Sequence, residues 1–161
     1  MKIIFLDIDY VVNCMSTKER APSGVIGVEQ RLIAYIKEIV DATGARIVLS
    51  STWRKDWAFN LLNGKDWNYL REEFAKQDLH FLDYTPIRRD SNRGKEIKEW
   101  LENTGYDVSS YVIIDDEMFD IKDLHKGHMV QTFFNDGINP GAVKMAIEIL
   151  AKEDNPYGDV L

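Results

Sequence analysis

The sequence has one cysteine, Cys14, among 161 residues, so no disulfide can form within the chain and a reducing, cytoplasmic setting is expected. It has no apolar stretch near the roughly 20 residues needed to cross a bilayer, because its hydrophobic runs meet a charge within one or two turns. The start, MKIIFLDIDY, is too briefly apolar and too soon acidic for a secretion signal. Positive charge is also short, with 20 Lys and Arg against 27 Asp and Glu for a formal net charge of -7. That argues against broad adhesion to nucleic acid or to an anionic membrane, although carboxylates gathered around a divalent cation would account for part of the excess. Repeats and low-complexity tracts are absent, no segment calls for an obligate protein partner, and His80, His125 and His128 show no metal-ligand spacing.

What is there is enough apolar material, 45% of the chain, for one globular domain over residues 1–153, followed by a loose tail at 154–161. Strands are expected at Lys2 to Leu6, Arg46 to Ser50, Leu79 to Leu82, Tyr111 to Ile114 and Met129 to Phe133. Between them, helical spacing marks Val28 to Thr43, Gly94 to Asn103 behind the cap-like Asp90 and Ser91, and Gly141 to Lys152 behind Pro140. Trp53 to Gln77 is helical but broken at Asn63-Gly64, so the segment 54–90 is expected to carry a helical arm. This alternation predicts an α/β, Rossmann-like fold: a mainly parallel five-stranded sheet with helices on both faces. Reactive groups in such sheets gather beyond the carboxyl ends of the strands.

Unusual polar residues stand at those ends. The first strand runs into Asp7-Ile8-Asp9, two carboxylates that need a nearby positive charge such as Mg2+. The second ends in Ser50 and Ser51, small hydroxyls that can donate to a phosphate oxygen or simply cap the next turn. Lys95 lies in the first turn of a helix, where the dipole disfavours a cation; pairing with Asp7 and a bound phosphate would explain it, the alternative being a solvated lysine on the exposed helix face. The fourth strand runs straight into Asp115, Asp116, Glu117 and, further on, Asp120, which is expected to be the second half of a metal site, a merely acidic loop being the alternative. One fold would bring all four groups to a single edge of the sheet.

In this order FLDIDYVV, VLSS, RGK and IIDDEMFD resemble the haloacid dehalogenase-like (HAD) superfamily of phosphohydrolases over nearly the whole chain. The form LDID-x-V-x-N with VLSSTWR is similar to the small HAD domains of some nucleic-acid repair proteins. The resemblance implies Mg2+, with Asp7 as nucleophile and metal ligand. Asp9 would be general acid and then base, its backbone carbonyl on the metal. Ser50 would bind the phosphoryl group, with Ser51 as the alternative in register. Lys95 would stabilise charge, and Asp116 or Asp115 would complete the metal site with Asp120 in support.

Substrate contacts are expected from Ser51, Arg54, Arg93 and Tyr10, with Arg88 and Arg89 as further phosphate partners and Trp53, Trp57, Trp67 and Tyr69 as stacking candidates or core. Tyr10 stands where many relatives have glycine, and its ring is expected to pack under the following loop or to line the entrance and stack on a base. The stretch from Val12 to Val28 is too short for a cap domain, so an open site is implied, suited to a nucleotide or a nucleic-acid end phosphate. Hydrolysis of a phosphoprotein or a small metabolite is the alternative within this class. A receiver-like domain that stores an aspartyl phosphate is the alternative outside it, disfavoured because Lys95 precedes the second acid cluster. A silent binding module is a third, disfavoured because every catalytic position holds a competent residue.

Overall fold

The computed structural model describes residues 1–152, so the expected tail at 154–161 lies outside the described residues. Strands β1 (Lys2–Leu6), β2 (Arg46–Leu49), β3 (Phe81–Tyr84), β4 (Ser110–Asp115) and β5 (Met129–Gln131) form one parallel sheet in the order β3-β2-β1-β4-β5. The central strands β1, β2 and β4 are apolar on both faces, as a sheet covered twice requires. Alternation then sorts them: Ile4, Leu6, Ile47, Leu49, Val112 and Ile114 share one core, while Ile3, Phe5, Val48, Tyr111 and Ile113 share the other.

The first core is closed by α1 (Gln30–Thr43), α3 (Lys65–Ala75) and α5 (Pro140–Leu150), and the second by α4 (Arg93–Asn103). Helix α1 turns an apolar stripe of Leu32, Ile33, Ile36 and Ile39 inward and stops at Gly44, whose φ of 71° suits a residue without a side chain. Each of those buried residues contributes roughly 1.5–3 kcal/mol relative to exposure. Helix α5 starts with Pro140 behind Asn139, whose side chain accepts from the Ala142 N–H.

The expected break at Asn63-Gly64 separates α2 (Arg54–Phe59) from α3. It is organised by Asp56, whose carboxylate accepts from the backbone N–H groups of Leu62, Gly64 and Trp67. The segment 54–90 thus holds two helices and then an edge strand. That strand begins at Phe81, two residues later than expected, because the Leu79 N–H closes the end of α3 on the Phe74 carbonyl. Among the described residues no large cap domain covers the sheet, and no helix is long and apolar enough to cross a membrane.

Candidate active site

The chain leaves β1 to build β2 and β3 on one side, then returns to lay β4 against the other flank of β1, which makes a switch point at the carboxyl ends of β1 and β4. Ladder bonds continue past the strand ends and hold the next residues in register: the Asp7 N–H donates to the Ile114 carbonyl at 3.0 Å and the Ser50 N–H to the Leu6 carbonyl at 2.8 Å. Carboxylate oxygens of Asp7, Asp115 and Asp116 consequently gather within 4.8 Å of one another. Burial, reinforced by the Asp115 carboxylate, pushes Asp7 well above the usual carboxylate range. Burial likewise raises Asp115 to about 6, against the pull of Arg93. Three crowded oxygen donors short of positive charge fit a small hard divalent cation.

Among the described residues, the cation turned into this cluster is Arg93, whose Nη1 lies 2.7 Å from Asp115 Oδ2 and 3.5 Å from Asp7 Oδ2. Its burial disfavours charge, but the two carboxylates outweigh that and raise its pKa. Lys95, expected in this place, is elsewhere. Its side chain is 53% exposed and its ammonium is 3.9 Å from Asp90. The cap explains the correction: Asn92, not Asp90 or Ser91, accepts from the Lys95 N–H and makes Arg93 the first residue of α4. Two residues along a helix is about 200° of rotation, so Arg93 and Lys95 face opposite ways.

Ser50 comes to the site with its Oγ buried and without a hydrogen-bond partner, an orphan donor beside the acids. Ser51 is also buried, but its Oγ accepts from the Trp53 N–H at 3.3 Å and so serves the turn into α2. Arg54, expected to meet substrate, is only 3% exposed and fully engaged by the carbonyls of Ser51, Thr85 and Pro86 and by Glu96 at 2.7 Å. It ties α2 to α4 rather than reaching outward, because burial of a guanidinium requires this set of acceptors.

Asp9 stands apart from the acid cluster. Its carboxylate is approached by the Trp53 indole N–H at 3.3 Å from each oxygen and by the Asn13 amide at 3.0 Å. Asn13 also accepts from the Tyr10 N–H and donates to the Gly27 carbonyl, so one fully buried amide joins the acid loop to the hairpin of residues 20–26. Sequence reasoning gave Asn13 no role, although it is the last letter of the LDID-x-V-x-N signature.

The other expected substrate contacts divide. Trp57 and Trp67 stack at 4.1 Å and Tyr69 receives the Val28 N–H, so these rings hold the arm together. Arg88 pairs with Asp90 and Glu99, and Arg89 is exposed. Tyr10 is half-buried with its ring edge-on to Phe134 at 6.4 Å, and it borders an open cleft beside Asp9. His125 and His128 are buried against Tyr111, His80 is exposed, and Cys14 is a buried free thiol.

Compared with known proteins, residues 3–143 match a family described as the HAD domain in Swiss Army Knife RNA repair proteins. No curated protein matches the chain.

Proposed function

The chain belongs to the family of HAD domains of Swiss Army Knife RNA repair proteins, and from that premise we propose that it is a Mg2+-dependent phosphomonoesterase that removes a phosphate from a nucleotide or a nucleic-acid end. The observation that carries this reading is the cluster of buried Asp7 and Asp115 with half-buried Asp116, facing Arg93 at the switch point of the sheet. Mg2+ held by those carboxylates would neutralise them and polarise the phosphoryl oxygens.

In the first step Asp7 attacks phosphorus, forming an aspartyl phosphate while the bond to the leaving oxygen breaks. Asp9 gives its proton to that oxygen. In the second step Asp9 takes a proton from water, whose oxygen attacks phosphorus and breaks the bond to Asp7, releasing phosphate and restoring the nucleophile. Arg93 supplies positive charge between Asp7 and the phosphoryl group, the role expected of Lys95, and the orphan hydroxyl of Ser50 donates to a phosphoryl oxygen. The open approach, without a large cap, suits a phosphate carried on a large body. A reducing, cytoplasmic setting agrees with the buried free thiol of Cys14.

The test is a screen of the full chain with Mg2+ across mononucleotides, end-phosphorylated oligonucleotides, sugar phosphates and phosphopeptides. Activity should favour the nucleotide substrates, vanish with a chelator and be lost in Asp7→Asn. Full activity in Asp7→Asn would overturn the mechanism, and a preference for phosphopeptides would overturn the substrate class.

A further inference from the structure

Two clefts open from Asp9. One, of about 320 Å3, is lined by Val25, Trp53, Leu61 and Leu62 together with Lys55, Asp56 and Asp66. The other, of about 450 Å3, lies between Asp9, Tyr10 and Asn13 on one side and the hairpin residues Arg20, Val25 and Ile26 on the other. Both border the acid that would protonate the leaving alcohol.

The lining of the second cleft brings together the acid Asp9, the aromatic Tyr10, the branched aliphatics Val25 and Ile26 and the cation Arg20. Tyr10 has a φ of 62°, a left-handed conformation rare for a bulky residue and natural for glycine. It is held there by Asn13 Oδ1 on its N–H and by the Thr132 hydroxyl on its carbonyl, so the ring is kept at the cleft against the preference of its own backbone. Arg20 is exposed, and its Nη1 donates to the carbonyls of Thr17 at 3.1 Å and Glu19 at 3.0 Å. Carbonyls orient a guanidinium without cancelling its charge, so on a chain of net charge -7 Arg20 brings a cation to the cleft.

We propose that this cleft takes the nucleoside carrying the scissile phosphate, its base stacked on Tyr10, and that Arg20 pairs with the phosphodiester on the far side of that nucleoside. An aromatic side chain and a cation lining one cleft are what a single strand presents partners for, whereas the other cleft sets two carboxylates, Asp56 and Asp66, against one lysine, Lys55. The inference rests on the phosphatase reading above and names its substrate: a phosphorylated oligonucleotide in preference to a mononucleotide.

The experiment compares kcat/KM of the full chain with Mg2+ on glycerol phosphate, on a mononucleotide and on a dinucleotide with the same terminal phosphate, the phosphate being placed at either end. Each added unit should raise kcat/KM by about tenfold in the wild type. Arg20→Ala should bring the dinucleotide-to-mononucleotide ratio close to one. Tyr10→Gly, which suits the backbone, should lower the mononucleotide-to-glycerol phosphate ratio by about tenfold without lowering the Tm. Tyr10→Leu, which keeps a side chain without a stacking face, should do the same to the ratio. Ratios that survive these substitutions would overturn the subsite. A wild type inactive on all three substrates would instead overturn the phosphatase reading.

Discussion

Asp9 depends on two N–H groups that belong to other parts of the chain, the Trp53 indole and the Asn13 amide. An acid that must give a proton to one atom and take one from another works only if its carboxylate is aimed, and general acid catalysis contributes roughly 10²–10⁴-fold. Trp53→Phe keeps an aromatic ring and deletes the donor. It should lower kcat for glycerol phosphate, whose leaving alkoxide needs a proton, by at least about tenfold. The first-turnover burst of nitrophenol from p-nitrophenyl phosphate, which leaves without help, should change far less. A general loosening of the fold would slow both, so equal losses would refute the positioning role. The acids at the strand ends were legible in the sequence because two clusters, a hydroxyl and a basic helix start all fall where one sheet edge would gather them. The cation was not, since Arg93 and Lys95 are two positions apart and only the identity of the cap decides which one faces the sheet. Asn92, an equally good cap, was the available signal.

At the level of elements, the site depends on how α4 lies against the loop after β4. A Cβ added at Gly94 would run into the backbone carbonyl of Asp120, so the helix approaches that loop as closely as a glycine allows. Alanine is the better helix former by about 1 kcal/mol, which makes Gly94→Ala informative. It should destabilise the protein by about 1–3 kcal/mol in urea unfolding despite that gain, and it should cut activity by moving Arg93 off Asp115. A neutral or stabilising outcome would mean the loop yields freely. Element types and order were readable from periodicity, and the break between α2 and α3 from the Asn63-Gly64 pair. The start of β3 was not, because Leu79 is as apolar as a strand residue while its backbone N–H is taken by the helix end. Nor did composition reveal that Arg54 would be internal: its burial depends on Glu96 and three carbonyls meeting it from separate segments of the chain.

Over the whole molecule, the strand order makes a site of residues from opposite ends of the domain, and it does so at the cost of crowding buried acids. The folded chain keeps a proton on Asp115 up to about pH 6, whereas an unfolded chain releases it at about pH 3.9. Asp7 is shifted in the same direction. The folded state therefore binds more protons across that window, and the stability of the metal-free protein falls as pH rises through it. Thermal unfolding in chelator should show a Tm that declines by several degrees from about pH 4 to about pH 7. Added Mg2+ should raise the Tm more at about pH 8 than at about pH 5, because its carboxylate ligands must be deprotonated. A metal-free Tm that climbs with pH would contradict the assignment of these acids.

Arg93 has a consequence of another kind. By resting on Asp7 and Asp115 it acts as a built-in understudy for a divalent ion, so stripping the protein with chelator should yield a folded, dormant form that regains competence as soon as the cation is returned, with no renaturation in between.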